Sequence, residues 1–391
     1  MKKKIIRDLD SISLELVDIS KRIFDYAELS FEEYRSADLL VKYLESKGFE
    51  IKRPAIKTLP TSFIASAGCG QPKISLMAEY DALPSIGHAC GHNIICSSSI
   101  GAAVAVKESG FLETVEGSIF VIGCPAEESG GAKRDLVREG IFSNMDLGLI
   151  IHPASMSTGY DIAYALKRFK VEYHGLSAHA AADPSKGVNA LDAVIHMFNG
   201  ISALRQQLPE KVRVHGIISN GGQSFNTIPN YSSAEIGIRA LTMAEVDNVV
   251  EKFERIVQAG SIATGCTYEI TQTEQMEDVL VNVPLANLLD RNFELLGEKT
   301  TMRRYEQGVG STDVGSVSHA IPAIQGYIDI TQGRDIPTHT EEFAQASNSE
   351  FGYQAMIRAA KALALTVYDL LTEKRLVQEV KDYFAQGRRD F

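Results

Sequence analysis

The segment GHACGHN, residues 87–93, concentrates two histidines and a cysteine within seven positions. Cys90 and His92 form a C-x-H pair, and thiolate and imidazole are ligands that zinc and neighbouring metals accept. Because both residues lie on one short turn, their side chains can converge on one centre. The segment therefore predicts part of a metal site, for which the rest of the chain must supply the remaining ligands.

Further ionisable residues follow predicted strands. Asp81 follows the strand predicted over 73–80, Glu127 and Glu128 follow 118–125, and His152 lies near the end of 147–153. In open α/β sheets, ligands bind beyond the carboxyl ends of the strands. A loop before a late helix adds one more histidine. The sequence thus predicts five metal ligands: Cys90, His92, Glu128, His152 and His339.

Five ligands are too many for one tetrahedral ion but suit two divalent ions about 3.5 to 4 Å apart. Cys90 is the predicted bridging ligand, because a thiolate carries enough charge to contact two cations. Glu127 is the predicted general base, which takes a proton from the attacking water and returns it to the leaving amine. Asp81 is predicted to accept the outward N–H of a ligand imidazole. Thiolate and imidazole favour zinc, and manganese or cobalt is compatible with the carboxylates.

Two other classes of function are open at this point. In a thiol hydrolase, Cys90 would be the nucleophile, with His92 or His88 as its base. That interpretation leaves the glutamates and the two later histidines without roles. In a metal-binding protein without turnover, the predicted ligands would serve storage or partner binding, and Glu127 beside them would have no purpose.

The elements that position these residues alternate between strands and helices. The first 50 residues predict two amphipathic helices. Leu9, Leu16 and Ile23 recur at helical spacing in the first, and the second spans Phe31 to Lys47. Buried strands are then predicted over 73–80, 118–125 and 147–153, with helices over 93–107 and 132–139. This alternation predicts an α/β fold whose mostly parallel sheet is flanked by helices on both faces.

The pattern changes between residues 166 and 275, where strands and two long helices follow the order β-α-β-β-α-β. That order is typical of the ferredoxin-like motif. We therefore predict a catalytic metal-binding domain formed by residues 1–165 and 276–391, and an inserted ferredoxin-like α+β domain at 166–275. The inserted domain is predicted to serve as a lid and as a dimerisation surface.

Composition limits the partners. The chain has 391 residues and a formal net charge of −11, and it has no run of basic residues after Lys2, Lys3 and Lys4. Nucleic-acid binding requires a basic face, so we expect none. No stretch reaches about 18 apolar residues, so we expect no membrane span. Five irregularly spaced cysteines argue against a disulfide framework and favour the cytoplasm.

Seven motifs, taken in order, resemble one known family. They are AEYDALPSIGHACGHN, GCPAEESGGAK, IHPAS, GLSAHAAADP, FNTIPN, GIRA and PTHTEEF. They look like the metallopeptidase and amidohydrolase family of aminoacylases, hippurate hydrolases, indole-acetyl-amino-acid hydrolases and aminobenzoyl-glutamate hydrolases. The CGHN and EYDALP variants are most similar to the branch of β-alanyl-dipeptide hydrolases and staphylococcal HmrA-type proteins. The resemblance covers nearly the whole chain.

The resemblance implies roles for further residues. The histidine of the lid-domain motif falls on His179 and would stabilise the tetrahedral oxyanion. Asn226 and Arg239 would hold the carboxylate of the substrate. Gly310 and Ser311 match a glycine–serine loop that contacts substrate. The chain departs from the usual pattern where asparagine follows CGH and where EY, rather than D-M, precedes Asp81.

Taken together, the residues and the resemblance predict a metal-dependent amidohydrolase with two divalent ions per chain. The expected substrate is an N-acyl amino acid or a short peptide with a free carboxylate. The expected assembly is a homodimer, or a higher homo-oligomer, formed through the lid domain.

Overall fold

The computed structural model describes residues 1–302 and 310–387. This part of the chain forms two compact units. The first unit contains Met1–Ile162, residues 279–302 and residues 313–387, so the chain leaves this unit and later returns to it. The second unit contains Ala163–Asp278 together with Gly310–Thr312.

A six-stranded sheet forms the centre of the first unit. Its strands, in spatial order, are β1 (Glu50–Lys52), β2 (Phe63–Cys69), β4 (Gly117–Gly123), β3 (Lys73–Ala78), β5 (Leu147–Ala154) and β10 (Ala323–Asp329). The four strands β4, β3, β5 and β10 are parallel, whereas β2 runs antiparallel to β1 and to β4. The predicted mostly parallel sheet is confirmed, with a short antiparallel edge that the sequence pattern did not reveal.

Helices cover both faces of this sheet, as the α/β prediction requires. One apolar core lies against α1 (Lys2–Ser11), α2 (Ser13–Tyr26), α3 (Tyr34–Ser46), α4 (His92–Glu108), α8 (Val283–Leu295), α10 (Glu341–Ser347), α11 (Glu350–Thr372) and α12 (Lys374–Ala385). A second core, on the other face, involves α5 (Ala132–Arg138) and α9 (Val314–Ala320). Successive residues of β3 point to opposite faces, so Leu76 joins the first core and Met77 the second.

Two helical details differ from the sequence pattern. The single helix predicted from Leu9 to Ile23 is divided at Ile12, which separates α1 from α2. The apolar stripe nevertheless continues across this break into one core, so periodicity alone could not locate it. Helix α4 is buried along nearly its whole length because it packs between the sheet and α11, which explains its small side chains.

The second unit has the predicted ferredoxin-like order. Its elements are β6 (Ala165–His174), α6 (Ala190–Leu204), β7 (Arg213–Asn220), β8 (Tyr231–Ala240), α7 (Met243–Thr264) and β9 (Thr267–Met276). The strands form an antiparallel sheet in the order β7-β8-β6-β9. Helix α7 begins at a capping box between Thr242 and Glu245 and ends before Gly265, which adopts a left-handed conformation.

Within the described ranges, no helix combines the length and apolarity needed to cross a membrane.

Candidate functional site

The turn between β3 and α4 brings Cys90 and His92 to the same place. Gly91 lies between them with φ +77°, and a Cβ atom there would lie 2.5 Å from Cγ of Pro153. Only glycine combines this conformation with such a close approach. Gly91 therefore allows the two potential ligands to flank a sharp turn that packs directly against the end of β5.

His92 is oriented by a buried carboxylate. Its Nδ1 lies 2.9 Å from Oδ1 of Asp81, and both side chains are fully buried. Oδ2 of Asp81 also accepts hydrogen bonds from the hydroxyl of Ser30 at 2.8 Å and from the backbone N–H of Glu128 at 3.0 Å. Because Nδ1 is hydrogen-bonded to Asp81, Nε2 of His92 is the atom that can bind a metal. A carboxylate outside the ligand shell commonly orients a metal-binding imidazole in this way.

His152 lies at the end of β5, beside the thiol of Cys90. Its Nδ1 is 2.7 Å from the carbonyl oxygen of Pro153, so this nitrogen carries the proton. Its Nε2 is consequently unprotonated and lies 3.2 Å from Sγ of Cys90. A thiol and an available imidazole nitrogen at this distance are suited to share one ion.

Two carboxylates hold the loop after β4 that carries Glu127 and Glu128. Ala126 has φ +55°, an uncommon conformation for a residue with a side chain. Its N–H donates to Oε1 of Glu33 at 2.8 Å, while the N–H of Glu128 donates to Asp81. Glu33 is buried and comes from the segment between α2 and α3, so the N-terminal helices contribute to the placement of the glutamate pair.

His339 completes the group from the returning part of the chain. Its backbone N–H donates to the carbonyl of Ala89 at 2.8 Å, which fixes the loop before α10 against the turn that carries Cys90. Its Nε2 lies 3.4 Å from Oε2 of Glu128, and its side chain is about half exposed. The structure thus brings all five predicted ligands to one edge of the first unit.

The potential ligand atoms form overlapping triads, within each of which all atoms lie within 4.8 Å of one another. One triad is Cys90, His92 and His152, and another is Cys90, Glu128 and His339. A third consists of His92, Glu127 and Glu128. Cys90 is common to the first two triads, so the geometry can accommodate two ions with the thiolate between them.

The electrostatics of the site suit cations. Burial would raise the pKa of Asp81, but the neighbouring imidazole of His92 outweighs it and lowers that pKa to about 2. Burial, reinforced by the carboxylates of Glu79, Glu128 and Asp313, raises the pKa of Glu127 well above its ordinary value. A raised pKa makes the carboxylate of Glu127 a stronger proton acceptor than an ordinary glutamate.

A second group of buried charges lies next to these residues and was missed from the sequence. Nζ of Lys133 is 2.6 Å from Oε1 of Glu79 and 2.5 Å from Oδ1 of Asp313, and all three side chains are fully buried. Oε2 of Glu79 lies 3.5 Å from Nε2 of His92. One signal was available, since Glu79 and Asp81 are two residues apart at a strand end, and such residues can point to the same side.

The other residues that the resemblance singled out lie in the second unit. His179 forms a bridge with Thr227, and the carbonyl of Asn226 accepts from the N–H of Ala180, so these two loops run side by side. Arg239, on β8, donates to Oγ of Ser311 at 3.1 Å. The carbonyl of Gly310 accepts from the N–H of Tyr164 at 2.8 Å. The second unit thus contains all five of these residues: His179, Asn226, Arg239, Gly310 and Ser311.

The thiol-hydrolase interpretation finds little support. Nε2 of His88 donates to the carbonyl of Ile23, so this ring packs as a buried structural group. Burial, together with Glu128, raises the pKa of the Cys90 thiol well above its ordinary value. Reactive cysteines have lowered pKa values in electropositive surroundings, whereas at Cys90 burial and the carboxylates outweigh the lowering effect of His92.

Comparison with known proteins identifies relatives that span the chain. The mouse Xaa-Arg dipeptidase is 35% identical over 98% of this chain and 92% of its own length. One of the subunits of p-aminobenzoyl-glutamate hydrolase from Escherichia coli (strain K12) is 30% identical over 94% of this chain and 92% of its own length. Residues 164–264 match the model of the M20 peptidase dimerisation domain.

Solved structures share the fold. An aminohydrolase from methicillin resistant Staphylococcus aureus superposes with a TM-score of 0.78 at 19% identity, over 95% of this chain and all of that one. A dinuclear metal binding peptidase of the M20 family from Bacillus subtilis gives a TM-score of 0.66 at 21% identity, over 90% of this chain and 98% of that one. The predicted family is confirmed: the chain belongs to the M20 family of metallopeptidases and amidohydrolases and is a hydrolase of peptide or amide bonds.

Proposed function

We propose that this chain hydrolyses the amide bond of dipeptides or N-acyl amino acids that carry a free carboxylate, at a centre of two divalent metal ions. The observation that carries this proposal is the pair of triads that share Cys90. Each triad offers three ligand atoms to one ion, and the shared thiolate would contact both. Such sharing is the pattern of two-metal hydrolytic sites.

The residues fit the ions that we propose. Among the residues that the structure describes, Nε2 of His92 and Oε1 of Glu128 are buried without a hydrogen-bond partner, a costly state that a metal ion would relieve. Three imidazoles and one thiolate favour zinc. Manganese or cobalt is also compatible with this ligand set, because one ligand is a carboxylate. When bound, the two ions would supply Lewis acidity toward the scissile carbonyl and lower the pKa of the attacking water.

The side chains of the protein supply the proton transfers. Glu127 would accept the proton of the attacking water and deliver it to the leaving nitrogen, a role that its raised pKa supports. Asp81 would keep Nε2 of His92 directed at the ion. We propose that His179, in the second unit, donates a hydrogen bond to the oxyanion that develops in the transition state. This hydrogen bond would stabilise the negative charge.

Recognition of the substrate carboxylate is assigned to the second unit. The guanidinium of Arg239 can bind a carboxylate in a bidentate manner, and its contact with Ser311 holds it in place. Asn226 and Gly310 would add hydrogen bonds from the adjoining loops.

The match to a dimerisation domain supports a homodimer, or a multiple of it, formed through the inserted domain predicted at 166–275. Five unpaired cysteines are in keeping with a reducing compartment, and we propose the cytoplasm.

Removal of metal tests this function. We expect about two ions per chain by elemental analysis, complete loss of activity with a strong chelator, and recovery when zinc, manganese or cobalt is returned. The substrate panel should contain Xaa-Arg dipeptides, other dipeptides, aminobenzoyl-glutamate, hippurate and N-acetyl amino acids, which represent the relatives. Activity that persists after both ions are removed would contradict the proposal and reopen the thiol mechanism.

A pair of cysteine variants provides a matched control for this test. Cys90→Ser should lower the metal content because it removes the shared ligand, whereas Cys266→Ser should retain two ions and full activity. Cys266 is equally buried but lies in the second unit, where its thiol contacts only the carbonyl of Asn189 among the described hydrogen bonds. Equal metal content in the two variants would mean that Cys90 is not a ligand.

Glu33 is expected to act on the reaction by positioning the glutamate pair. Its carboxylate accepts from three donors, the N–H groups of Phe31 and Ala126 and the hydroxyl of Thr61. In Glu33→Gln the amide group must face one of these donors, so we expect the loop to shift and kcat to fall about 10- to 100-fold, with less effect on KM. Steady-state kinetics on metal-loaded protein provide the measurement.

The neighbouring Glu32→Gln is the control, because Glu32 is exposed. This variant should keep the wild-type kcat. If Glu33→Gln also kept it, the hydrogen bond to Ala126 would not determine where Glu127 and Glu128 lie.

A further inference from the structure

Asn93 stands where the chain departs from the usual pattern after CGH, and the proposed function gives it no role. It follows His92 directly, in the first turn of α4, and is fully buried. Its Nδ2 donates to the backbone carbonyl of Ser347 at 3.2 Å and to Oγ of Ser20 at 3.0 Å. A carbonyl oxygen only accepts hydrogen bonds, so the atom that faces Ser347 must be the amide nitrogen.

Ser347 is joined to the ligand His339 by a short, stiff piece of chain. Helix α10 ends at Ser347 and begins two residues after His339. Thr340 caps this helix, because its side chain accepts from the N–H of Phe343 at 3.2 Å. Residues 339–347, which we call the His339 segment, therefore contain about two helical turns with a fixed beginning.

The His339 segment is docked along its length on the turn between β3 and α4. At its beginning, the backbone N–H of His339 donates to this turn. In its middle, the buried ring of Phe343 approaches Gly91, where a Cβ atom would lie 3.6 Å from Cε1. At its end, Oγ of Ser347 donates to the carbonyl of His88 at 3.3 Å. The amide of Asn93 adds a second bond at this end.

The ring of His339 depends on this docking more than the other ligand imidazoles do. Nδ1 of His92 is held by Asp81, and Nδ1 of His152 by the carbonyl of Pro153. Among the described contacts, the ring of His339 has no such bond at Nδ1, and its side chain is about half exposed. Its φ of +63° is also uncommon for a residue with a side chain. The backbone therefore sets the direction of this imidazole.

We propose that Asn93 is a positioning residue for the ion that Cys90, Glu128 and His339 would bind, an inference that rests on the proposed two-ion function. The amide fixes the end of α10, and the helix carries this constraint back to His339. An ionised aspartate could not replace the asparagine, because it would place an acceptor against the carbonyl of Ser347.

Asn93→Asp tests this inference on zinc-loaded protein. Competition with a chelator, followed by elemental analysis after each step, gives the affinity of each ion. His339→Ala identifies the ion concerned, because its affinity should fall most in that variant. Asn93→Asp is expected to weaken the same ion by about 10- to 100-fold, as loss of a group that orients a ligand does. The other ion should keep its affinity, and added zinc should restore activity.

The double variant tests whether Asn93 acts through His339. When His339→Ala has already removed the imidazole, the position of α10 no longer affects this ion. Asn93→Asp should then cause no further loss of affinity. Losses that add in the double variant would overturn the inference, because the amide would then act on the site by another route.

Ser20→Ala is the matched control. It removes the other partner of the same amide nitrogen and leaves the bond to Ser347 in place. This variant should keep the wild-type affinity for both ions. If Asn93→Asp does not fold, Asn93→Leu replaces it, since leucine has a similar shape and carries no charge but cannot donate to Ser347.

The outcomes separate this inference from the proposed function. Unchanged affinity for both ions in the Asn93 variant would overturn the inference alone. Equal weakening of both ions, or equal effects of the Asn93 and Ser20 substitutions, would overturn it too, because a general loosening of α4 would then explain the loss. Wild-type protein that binds no ions would overturn the proposed function and this inference with it.

Discussion

Glu127→Gln is expected to lower kcat by about 10²- to 10⁴-fold, the usual contribution of a general acid–base group, while the protein keeps its full complement of metal ions. The amide has nearly the shape of the carboxyl group but cannot accept the proton of the attacking water. The measurement combines kcat and KM for the best substrate of the panel with elemental analysis of the same sample. KM should change little, because the variant retains the groups proposed to bind substrate.

Glu128→Gln is the natural comparison, since the two glutamates are adjacent but have different expected roles. Loss of Glu128 should weaken metal binding, and added metal should restore part of the activity. No concentration of metal should restore Glu127→Gln. If both variants responded to metal in the same way, the division of the pair into a base and a ligand would be wrong.

Lys133→Met is expected to destabilise the protein by about 3–5 kcal/mol, the cost of leaving a buried charge without its partner. Methionine fills much of the same volume, but Glu79 and Asp313 lose the ammonium group that both contact. Urea denaturation of the metal-loaded protein, followed by circular dichroism, would show the loss as a lower midpoint. Lys186→Met is the control, because Lys186 pairs with Asp183 on the surface and should change stability by less than about 0.5 kcal/mol.

The pH dependence of the Lys133→Met variant follows from its carboxylates. Burial already raises the pKa of Asp313 against the opposing effect of Lys133, and removal of the ammonium group raises it further. A carboxyl group whose pKa is higher in the folded than in the unfolded state destabilises the folded protein at pH values above its unfolded pKa. This destabilisation becomes smaller as the pH falls, because the group is then protonated in both states. The difference from wild type should therefore shrink toward acidic pH. A constant difference would mean that lost packing, rather than unpaired charge, causes the destabilisation.

The sequence alone predicts the parts of the site whose signals are local. Cys90 and His92 are two residues apart, and Glu127 and Glu128 are adjacent, so a single turn or loop is enough to relate them. His152 and Asp81 could be placed because parallel strands end at one edge of a sheet. His339 was the least local of the predicted ligands, and its interpretation depended on the position of its loop before a helix.

The parts that were missed depend on contacts between distant segments. Lys133 meets Glu79 and Asp313, which are 54 residues before it and 180 residues after it, and no spacing rule relates such positions. Glu33 is similar, because its partner Ala126 is 93 residues away. The edge strand β1 was missed for another reason: it has only three residues, too few to show alternation.

The return of the chain to its first unit has a consequence for biosynthesis. Helix α4 and strand β5 leave the ribosome early, but their partners α11 and β10 are encoded after the whole second unit. At roughly 5–20 residues per second, the nascent chain waits about 12 to 50 seconds before α11 can cover α4. During that interval, a nearly continuous apolar helix and an unpaired strand edge are exposed, which makes the unfinished chain a natural client of ribosome-associated chaperones.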